Sequence, residues 1–302
     1  MRKIIVLLVA AASLLVGGCA TPPPAEVSRV AVISAFPPEL ALLLGRVEAP
    51  RKQTINGVDF TTGTLQGKPV VLFASGISMT NASMNTQLVL DRFQVSHIVF
   101  SGIAGGVNPA LKVGDVVVAQ RWGQYLEVLA ARETAPGRFA VPPWMDDVRL
   151  PNHGMLHPRP VEVRSTGRTG SEKKFWFESD AALMDIARRS ANVALARCDA
   201  QKQCLSHDPH VVVGGNGVSG QAFVDNAAFR EYTFKTFEAS VLDMETAAVA
   251  MVAYSNGVPF IAFRSLSDLA GGGDGENEIN TFFKIAADNS ARVLLAFLAA
   301  WN

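Results

Sequence analysis

Short apolar runs alternate with longer stretches of helical periodicity along most of this chain. Six runs are rich in Val, Ile and Phe, as buried strands are; they are RVAVISAF, PVVLFASGI, HIVFSGIAGG, DVVVAQRW, HVVVGGNGVSG and PFIAFRSLSD. Helices are predicted over Pro38–Val47, Thr80–Phe93, Asp180–Asn192, Asp243–Asn256 and Asn280–Trp301. This alternation predicts an α/β fold with helices on both faces of a sheet. Ligands of such sheets bind beyond the carboxyl ends of the strands.

The segment from Arg121 to Phe177 breaks this pattern. Prolines recur along it, and its apolar residues show little periodicity. We predict an irregular insertion over 121–177 that leaves the sheet and covers a site or an interface.

The composition is that of a globular protein with a substantial core. Hydrophobic residues make up 49% and charged residues 18% of the 302 residues, and the formal net charge is zero. Because the chain has no basic stripe and no acidic tail, the sequence predicts no nucleic-acid partner.

The N-terminus has the features of an export signal. MRKIIVLLVAAASLLVGGCA places two cations before an apolar run that is too short to span a bilayer, which predicts a signal peptide over residues 1–18. Its end, VGGC, resembles a bacterial lipobox with Cys19 as the lipidated residue; plain secretion with cleavage nearby is the alternative. Residues 19–28 then form an extended tether, and 29–302 form the folded domain. We expect an exported, periplasmic lipoprotein that touches the membrane only through the lipid on Cys19.

The remaining cysteines, Cys198 and Cys204, agree with export. Two cysteines this close together in an oxidising compartment predict a local disulfide. A metal site is the alternative, but two thiols alone bind a metal poorly, and His153 and His157 lie between prolines in a predicted loop. We therefore predict neither a metal nor a cofactor.

Four carboxylates and one arginine stand at predicted element ends or in apolar surroundings. Glu39 follows the first strand, Asp243 and Glu245 open a helix, and Asp268 ends a strand that also contains Arg264. Acids at helix N-termini are commonly caps, and this explanation is sufficient for Asp243. Glu245 precedes a helix that is apolar on most sides, so its carboxylate needs a donor or ligand hydroxyls. Arg264 in an apolar strand needs a carboxylate, so a structural ion pair is the alternative to a catalytic role.

Several blocks resemble the nucleoside phosphorylase superfamily, and most of all its 5′-methylthioadenosine/S-adenosylhomocysteine nucleosidases. In order, they are VAVISAFPPELALLL, LFASGISMTNASMNTQLVLDRF, IVFSGIAGGVNPALKVGDVVVAQ, VSGQAFV and LDMETAAVAMVAYSNGVPFIAFRSLSDLAG. The resemblance implies a single-domain, three-layer α/β fold, in which a twisted mixed sheet is flanked by helices. It also implies cleavage of the N-glycosidic bond of a purine nucleoside, and a homodimer or higher homo-oligomer.

The resemblance implies catalytic roles for four residues. Asp268 matches the acid at N7 of the leaving purine, and Glu39 matches the glutamate that activates the attacking water. Arg264 and Ser75 match polar residues near that water. An acid on the leaving base and a carboxylate on the water are what such a cleavage requires.

Substrate-binding residues follow from the same resemblance. Glu245 matches the glutamate that binds the ribose hydroxyls, and Met244 would pack beneath the sugar. Phe223 would stack on the purine, and the Val224 backbone would contact the edge of the base. The 5′ group would be lined by Phe36 and Ile279, where the family often has Met and an aromatic residue.

Phosphorolysis is the alternative to hydrolysis. The family's phosphorylases usually supply arginines in the first βα loop and before the Gly-rich loop, but ISAFPPELALLL and HIVFSGIAGG contain none. We interpret GIAGGV, with Gly105, as a tight backbone turn at the pocket. Hydrolysis is favoured, and a non-catalytic nucleoside-binding or storage lipoprotein is the remaining alternative.

Overall fold

The structure is a computed structural model that describes residues 27–273 and 275–301. The predicted signal peptide, Cys19 and most of the tether lie outside these residues. Within the described chain the helices are α1 (Pro37–Leu44), α2 (Met79–Arg92), α3 (Ala181–Ser190), α4 (Ala227–Phe237), α5 (Thr246–Asn256) and α6 (Ile279–Ala300). None of these helices combines the length and the apolar character needed to cross a membrane.

The strands alternate with these helices, as the sequence predicts. They are β1 (Arg29–Ser34), β2 (Glu48–Ile55), β3 (Val58–Leu65), β4 (Lys68–Ala74), β5 (Val95–Gly106), β6 (Val116–Val118), β7 (Arg121–Gln124), β8 (Val128–Ala130), β9 (Arg132–Ala135), β10 (Arg138–Ala140), β11 (Leu156–Pro158), β12 (Val161–Val163), β13 (Glu172–Lys174), β14 (Trp176–Glu178), β15 (Val211–Val213), β16 (Asn216–Ser219), β17 (Ala239–Asp243) and β18 (Phe260–Asp268).

Twelve of these strands form one mixed sheet. Its main path runs β14-β7-β16-β17-β5-β1-β4-β3-β2, and β18 pairs with β5 and β6, which in turn pairs with β15. The strands β4, β1, β5 and β18 are parallel neighbours, so their carboxyl ends meet at one edge. β17 runs antiparallel to β5 and pairs with it at Gly105 and Gly106, close to that edge. All residues of β17 and β18 are buried, which places the polar ends of both strands inside the protein.

Apolar packing on both faces of the sheet confirms the predicted α/β fold. One core cluster joins α2 and α5 to the sheet and includes Phe60, Phe73, Phe100 and Trp122. A second lies under α1, α3 and α6 and includes Phe263 and other buried apolar residues. The fully buried β18 lies between these layers and is held by both.

The structure corrects several predicted element boundaries. The hairpin of β2 and β3 was not predicted, because β2 is exposed along nearly its whole length and carries no apolar pattern. The predicted start of the fourth helix at Asp243 is wrong, since residues 239–243 form β17 and α5 begins at Thr246. Helix α4 was also missed, because its polar and aromatic residues do not follow a clean helical period.

The segment 121–177 has more regular structure than its prolines indicate. Its ends are the strands β7 and β14, which pair with each other in the main sheet. Between them, β8 pairs with β11, β9 with β10, and β12 with β13. The segment therefore begins and ends in the sheet, and only its middle projects from it.

Candidate active site

A cavity of about 180 Å³ lies at the edge where the carboxyl ends of the parallel strands meet. Its lining combines apolar side chains with acids; the described residues around it are Ala35, Phe36, Glu39, Ile77, Ile103, Ala104, Gly105, Ala222, Phe223, Val224, Leu242, Asp243, Met244, Glu245, Ser267, Asp268 and Ile279. All the residues predicted to bind substrate are therefore brought together.

Glu39 is fixed at the start of α1, where the chain leaves β1. Its Oε2 accepts a hydrogen bond from the Ala35 N–H at 2.7 Å, and its Oε1 accepts one from the Ile103 N–H at 2.7 Å. Burial raises the pKa of this carboxyl above its ordinary value, and the charge of Arg264 and the backbone donors offset the rise only in part. The result is a rigid carboxylate with a lone pair to spare on each oxygen.

Arg264 lies fully buried among three carboxylates. Its Nε is 2.8 Å from Asp243 Oδ2, its Nη1 is 3.8 Å from Glu39 Oε1, and its Nη2 is 3.7 Å from Glu245 Oε2. The guanidinium also covers the Phe100 ring, at 4.1 Å from the ring centroid. The three carboxylates can each carry a negative charge, whereas Arg264 supplies one positive charge. The excess negative charge favours the protonated form of one of the three acids.

Glu245 immediately precedes α5, and its side chain is nearly fully buried. Its Oε1 accepts a hydrogen bond from the Ser78 N–H at 2.8 Å. Burial raises the pKa of this carboxyl to about 7; Arg264 lowers it, and the nearby charges of Asp243 and Glu39 raise it further. Near neutral pH this carboxyl is therefore partly protonated and partly ionised.

Asp243 performs the predicted capping role. Its Oδ1 accepts from the N–H groups of Glu245 at 3.2 Å and Thr246 at 3.1 Å, at the start of α5. It also bonds the Ser219 hydroxyl and pairs with Arg264, which a cap alone does not require. Asp243 therefore caps α5 and also forms an ion pair with Arg264.

Asp268 ends β18 at the cavity. Its Oδ1 accepts from the Ala270 N–H at 2.8 Å, and its Oδ2 accepts from the Ser267 hydroxyl at 2.8 Å. Burial raises the pKa of this carboxyl, and these hydrogen bonds lower it only in part. A proton is therefore held more tightly here than on an exposed aspartate.

Two glycines of β5 make room for the acids. A Cβ at Gly102 would lie 2.1 Å from Arg264 Nη1 and 2.6 Å from Glu39 Oε1, whereas a Cβ at Gly105 would lie 3.3 Å from Asp268 Oδ1. A larger residue at position 102 would therefore clash with Arg264 and Glu39. The two positions are three residues apart, about 10 Å along a strand. Glu39 and Asp268 therefore lie beside β5 at two different points along its length, and both border the cavity.

Two of the backbone donors that hold these acids have unusual conformations. Ser78 has φ 87° and Ala270 has φ 52°, both in the left-handed region that favours glycine. Their N–H groups donate to Glu245 and Asp268 respectively. Such strain is typical of functional sites. The sequence offered no signal for either residue, since neither is Gly, Asn or Asp.

The remaining predicted binding residues line the same cavity. The Phe223 ring is 56% exposed at the surface of the cavity, and Val224 is buried beside it. Met244 precedes Glu245, while Phe36 and Ile279 contribute apolar surface. The exposed Phe223 ring is free to stack on a flat ligand.

Ser75 does not reach the cavity in the structure. It is fully buried, and its hydroxyl donates to the Gly76 carbonyl at 3.1 Å. Arg264 likewise lies behind the acids rather than in the lining. Among the described residues that line the cavity, none belongs to the segment 121–177, so that segment does not cover the site of its own chain. Ile77, which follows β4, and Ile103, which lies within β5, were missed as lining residues, because apolar residues in and after strands resemble ordinary core.

Cys198 and Cys204 form a disulfide, with their Cα atoms 4.0 Å apart. It lies in the loop between α3 and β15 and contributes nothing to the lining of the cavity. Within residues 27–273 and 275–301, no three His, Cys, Asp or Glu side chains are grouped so as to hold a metal ion.

Comparison with known proteins assigns this chain to one family. The profile of the family described as "Phosphorylase superfamily" matches residues 29–299. A 5′-methylthioadenosine/S-adenosylhomocysteine nucleosidase of Mycobacterium bovis is 31% identical over 270 residues, which cover 89% of this chain and 96% of that protein. One from Marinomonas sp. is 29% identical, with 90% and 99% covered.

Solved structures agree with this placement. The nucleosidase of the same name from Streptococcus pneumoniae, solved with the transition-state inhibitor MT-ImmA, has a TM-score of 0.66 at 26% identity. The alignment covers 91% of this chain and 100% of that one. The Neisseria meningitidis nucleosidase, in complex with methylthio-immucillin-A, gives the same TM-score, identity and coverage. This chain therefore belongs to the phosphorylase superfamily.

Proposed function

We propose that this protein hydrolyses the N-glycosidic bond of a purine nucleoside or a 5′-substituted adenosine, of the methylthioadenosine/S-adenosylhomocysteine type, and releases the purine base. The proposal draws on the named nucleosidases to which the chain is similar over most of its length. It also draws on the acids that surround one cavity.

The charge of the cavity lining is the observation that supports hydrolysis rather than phosphorolysis. Glu39, Asp243, Glu245 and Asp268 line it, and the described lining residues include neither lysine nor arginine. The adjacent Arg264 is already engaged by three carboxylates. A phosphate dianion would enter a site of its own sign with no guanidinium among the described lining residues, whereas a neutral water molecule meets no such repulsion.

Asp268 acts on the leaving base. Breaking the bond between the ribose C1′ and the purine N9 leaves negative charge on the base, and a proton delivered to N7 neutralises that charge. The raised pKa of Asp268 keeps a proton available for this transfer at a pH where an exposed aspartate has lost its own. The Ser267 and Ala270 donors fix the carboxyl for the transfer.

Glu39 acts on the water. As the bond to the base breaks, positive charge develops on the ribose, and a water oxygen forms the new bond to C1′. Glu39 accepts the proton that this water loses. Its raised pKa makes the carboxylate a stronger base than an exposed glutamate, and its two backbone hydrogen bonds fix its direction.

The reaction balances with water as the second substrate. One water adds to the sugar, the base leaves with the proton from Asp268, and Glu39 gains a proton. Exchange with solvent then returns both acids to their starting states. Glu245, when ionised, accepts hydrogen bonds from the ribose hydroxyls and holds the sugar between the two acids.

The proposal extends to the location and assembly of the protein. Export as a lipoprotein rests on the N-terminal sequence, and the Cys198–Cys204 disulfide supports an oxidising compartment. Self-association is proposed from the family resemblance. Size-exclusion chromatography with light scattering tests the assembly, and metabolic labelling with a fatty acid tests lipidation at Cys19.

The test of the activity is purine release from adenosine, inosine, methylthioadenosine and S-adenosylhomocysteine, each with and without phosphate. Glu39→Gln is assayed beside the wild type, with the exposed Glu48→Gln as the matched control. We expect release that does not depend on phosphate and that falls by about 10²–10⁴-fold only in Glu39→Gln. Release that requires phosphate would assign a phosphorylase, and binding without release of any substrate would assign a binding protein.

A further inference from the structure

We propose that Asp243 is a positioning residue for the hydrolysis, because it holds the Arg264 guanidinium in place between Glu39 and Glu245. The inference rests on the proposed function, and it assigns to Asp243 a role beyond the helix cap that its sequence position suggests. It is carried by the hydrogen bonds of a single buried carboxylate.

The Asp243 carboxylate is fully occupied by protein donors. Its Oδ1 accepts from the Ser219 hydroxyl and from the N–H groups of Glu245 and Thr246. Its Oδ2 accepts from the Thr246 hydroxyl and pairs with Arg264 Nε at 2.8 Å. Four hydrogen-bond donors and the Arg264 ion pair therefore meet a group with about four lone-pair sites. Although Asp243 borders the cavity, it has no capacity left for a substrate hydroxyl, so its contribution must pass through its neighbours.

Arg264 is the neighbour through which it acts. The Nε contact with Asp243 is the shortest of its three contacts with carboxylates, and the Thr246 hydroxyl accepts from the same Nε at 2.8 Å. With this edge fixed, the planar guanidinium directs Nη1 toward Glu39 at 3.8 Å and Nη2 toward Glu245 at 3.7 Å. Both distances exceed a direct hydrogen bond, so the arginine lowers the pKa of each glutamate without binding either one tightly.

The other contacts of Arg264 do not fix the position of its guanidinium by themselves. Gly102 leaves room for Nη1, the Phe100 ring lies under the guanidinium, and the Ile103 carbonyl accepts from Nη1 at 3.2 Å. These contacts constrain one side of the group and its plane. Only the side chains of Asp243 and Thr246 hold the opposite edge among the described residues. Without the Asp243 charge, Arg264 is drawn toward the two glutamates, which carry the only other acidic side chains within 4.0 Å of it in the described chain.

The direction of the effect on acidity follows from the charges that face these groups. Glu245 faces Arg264, Asp243 and Glu39, and Asp243 also lies near Tyr125, whose pKa is raised by burial and by the Asp243 charge. Replacing Asp243 by asparagine removes a negative charge that raises the pKa of Glu245. It also frees Arg264 to approach both glutamates. Both changes lower the pKa of Glu245, so the glutamates stay ionised to lower pH.

The experiment compares Asp243→Asn with Ser219→Ala. Ser219→Ala removes another donor to the same carboxylate and leaves its charge and the arginine pair intact. We measure kcat, KM and the pH profile of purine release for each protein, together with unfolding by denaturant at pH 5 and pH 8. For Asp243→Asn we expect kcat to fall at least about tenfold, with KM changed less. We also expect the acid limb of the profile to move to lower pH. Ser219→Ala should keep that limb in the wild-type position.

The outcomes separate this inference from the proposed function. A wild type that releases no purine would contradict the function, and the pH dependence of unfolding would still test the position of Arg264. There, Asp243→Asn should lose less stability between pH 5 and pH 8 than the wild type does. If Asp243→Asn shows only the loss of stability seen in Ser219→Ala, with the same acid limb, Asp243 is a cap and the inference is overturned. If the asparagine variant does not fold, Asp243→Glu decides: a lower kcat with an unmoved acid limb supports positioning, and a wild-type kcat refutes it.

Discussion

Replacing Glu245 by glutamine should stabilise the protein at alkaline pH while it damages the site. Burial raises the pKa of Glu245 to about 7 from an ordinary value of 4.5. A raised pKa in the folded state means that the folded protein binds this proton more tightly than the unfolded chain does. The stability of the wild type therefore falls as pH rises from about 4.5 through 7, and the loss is complete above that range.

The size of the effect follows from the same pKa values. One unit corresponds to about 1.4 kcal/mol, so ionising Glu245 costs the folded protein about 3 kcal/mol at pH 8. Glutamine cannot ionise, and its carbonyl oxygen can still accept the Ser78 N–H that Oε1 accepts in the wild type. Glu245→Gln should thus be about 3 kcal/mol more stable than the wild type at pH 8, which is about 5 °C in melting temperature for a chain of this size. At pH 5 most of this difference should vanish.

Denaturant unfolding followed by circular dichroism at pH 5 and pH 8 measures both quantities. The exposed Glu48→Gln is the matched control, and we expect its stability to follow the wild type at both pH values. An equal difference between Glu245→Gln and the wild type at the two pH values would refute the reasoning. It would mean that the carboxylate is ionised without cost, through a tighter pair with Arg264 than the 3.7 Å separation indicates.

Three further predictions follow from the site. Gly102→Ala should lower the free energy of unfolding by about 1–3 kcal/mol or more, because its Cβ would lie within 2.6 Å of Arg264 and Glu39. The control is Gly45→Ala, whose Cβ would meet nothing closer than 3.6 Å, and equal unfolding midpoints for the two variants would contradict the clash. Asp268→Asn should lower kcat by about 10²–10⁴-fold, and a kcat near wild type would remove Asp268 as the acid. Phe223→Ala should raise KM about tenfold with little change in kcat, through lost stacking; an unchanged KM would place the purine elsewhere.

Much of the fold was predictable because buried strands carry their own pattern. β1, β5 and β18 are apolar along most of their length and are flanked by residues that end strands, so their positions were clear. The exposed strand β2 has no such pattern, since its pairing with β3 rather than its burial holds it in place. The short β17 was missed, and its last residue, Asp243, was assigned to the following helix, because a five-residue strand and a helix start look alike when both are buried.

The acids of the site were predictable, whereas the contacts that position them were not. Glu245 stood out because a carboxylate before an apolar helix needs a partner, whereas Glu39 and Asp268 stood at predicted element ends and received their roles from the family resemblance. The backbone N–H groups of Ser78 and Ala270 hold two of them, and backbone donors leave no trace in a sequence. Ser75 is expected near the water, and in the structure its hydroxyl donates to the carbonyl of the next residue, Gly76. Matching a residue to a position in a family does not fix the direction of its side chain.

The most direct test of hydrolysis is the identity of the sugar product when phosphate is abundant. Methylthioadenosine, or whichever nucleoside of the panel is cleaved fastest, is incubated with the protein in excess phosphate, and the products are followed by proton and phosphorus NMR. A cavity lined by four acids, with its neighbouring arginine engaged, predicts the free sugar and the purine base, and no new phosphate ester. A sugar 1-phosphate that accumulates in step with the base would contradict the account, because it would require an anion site that the acidic lining argues against.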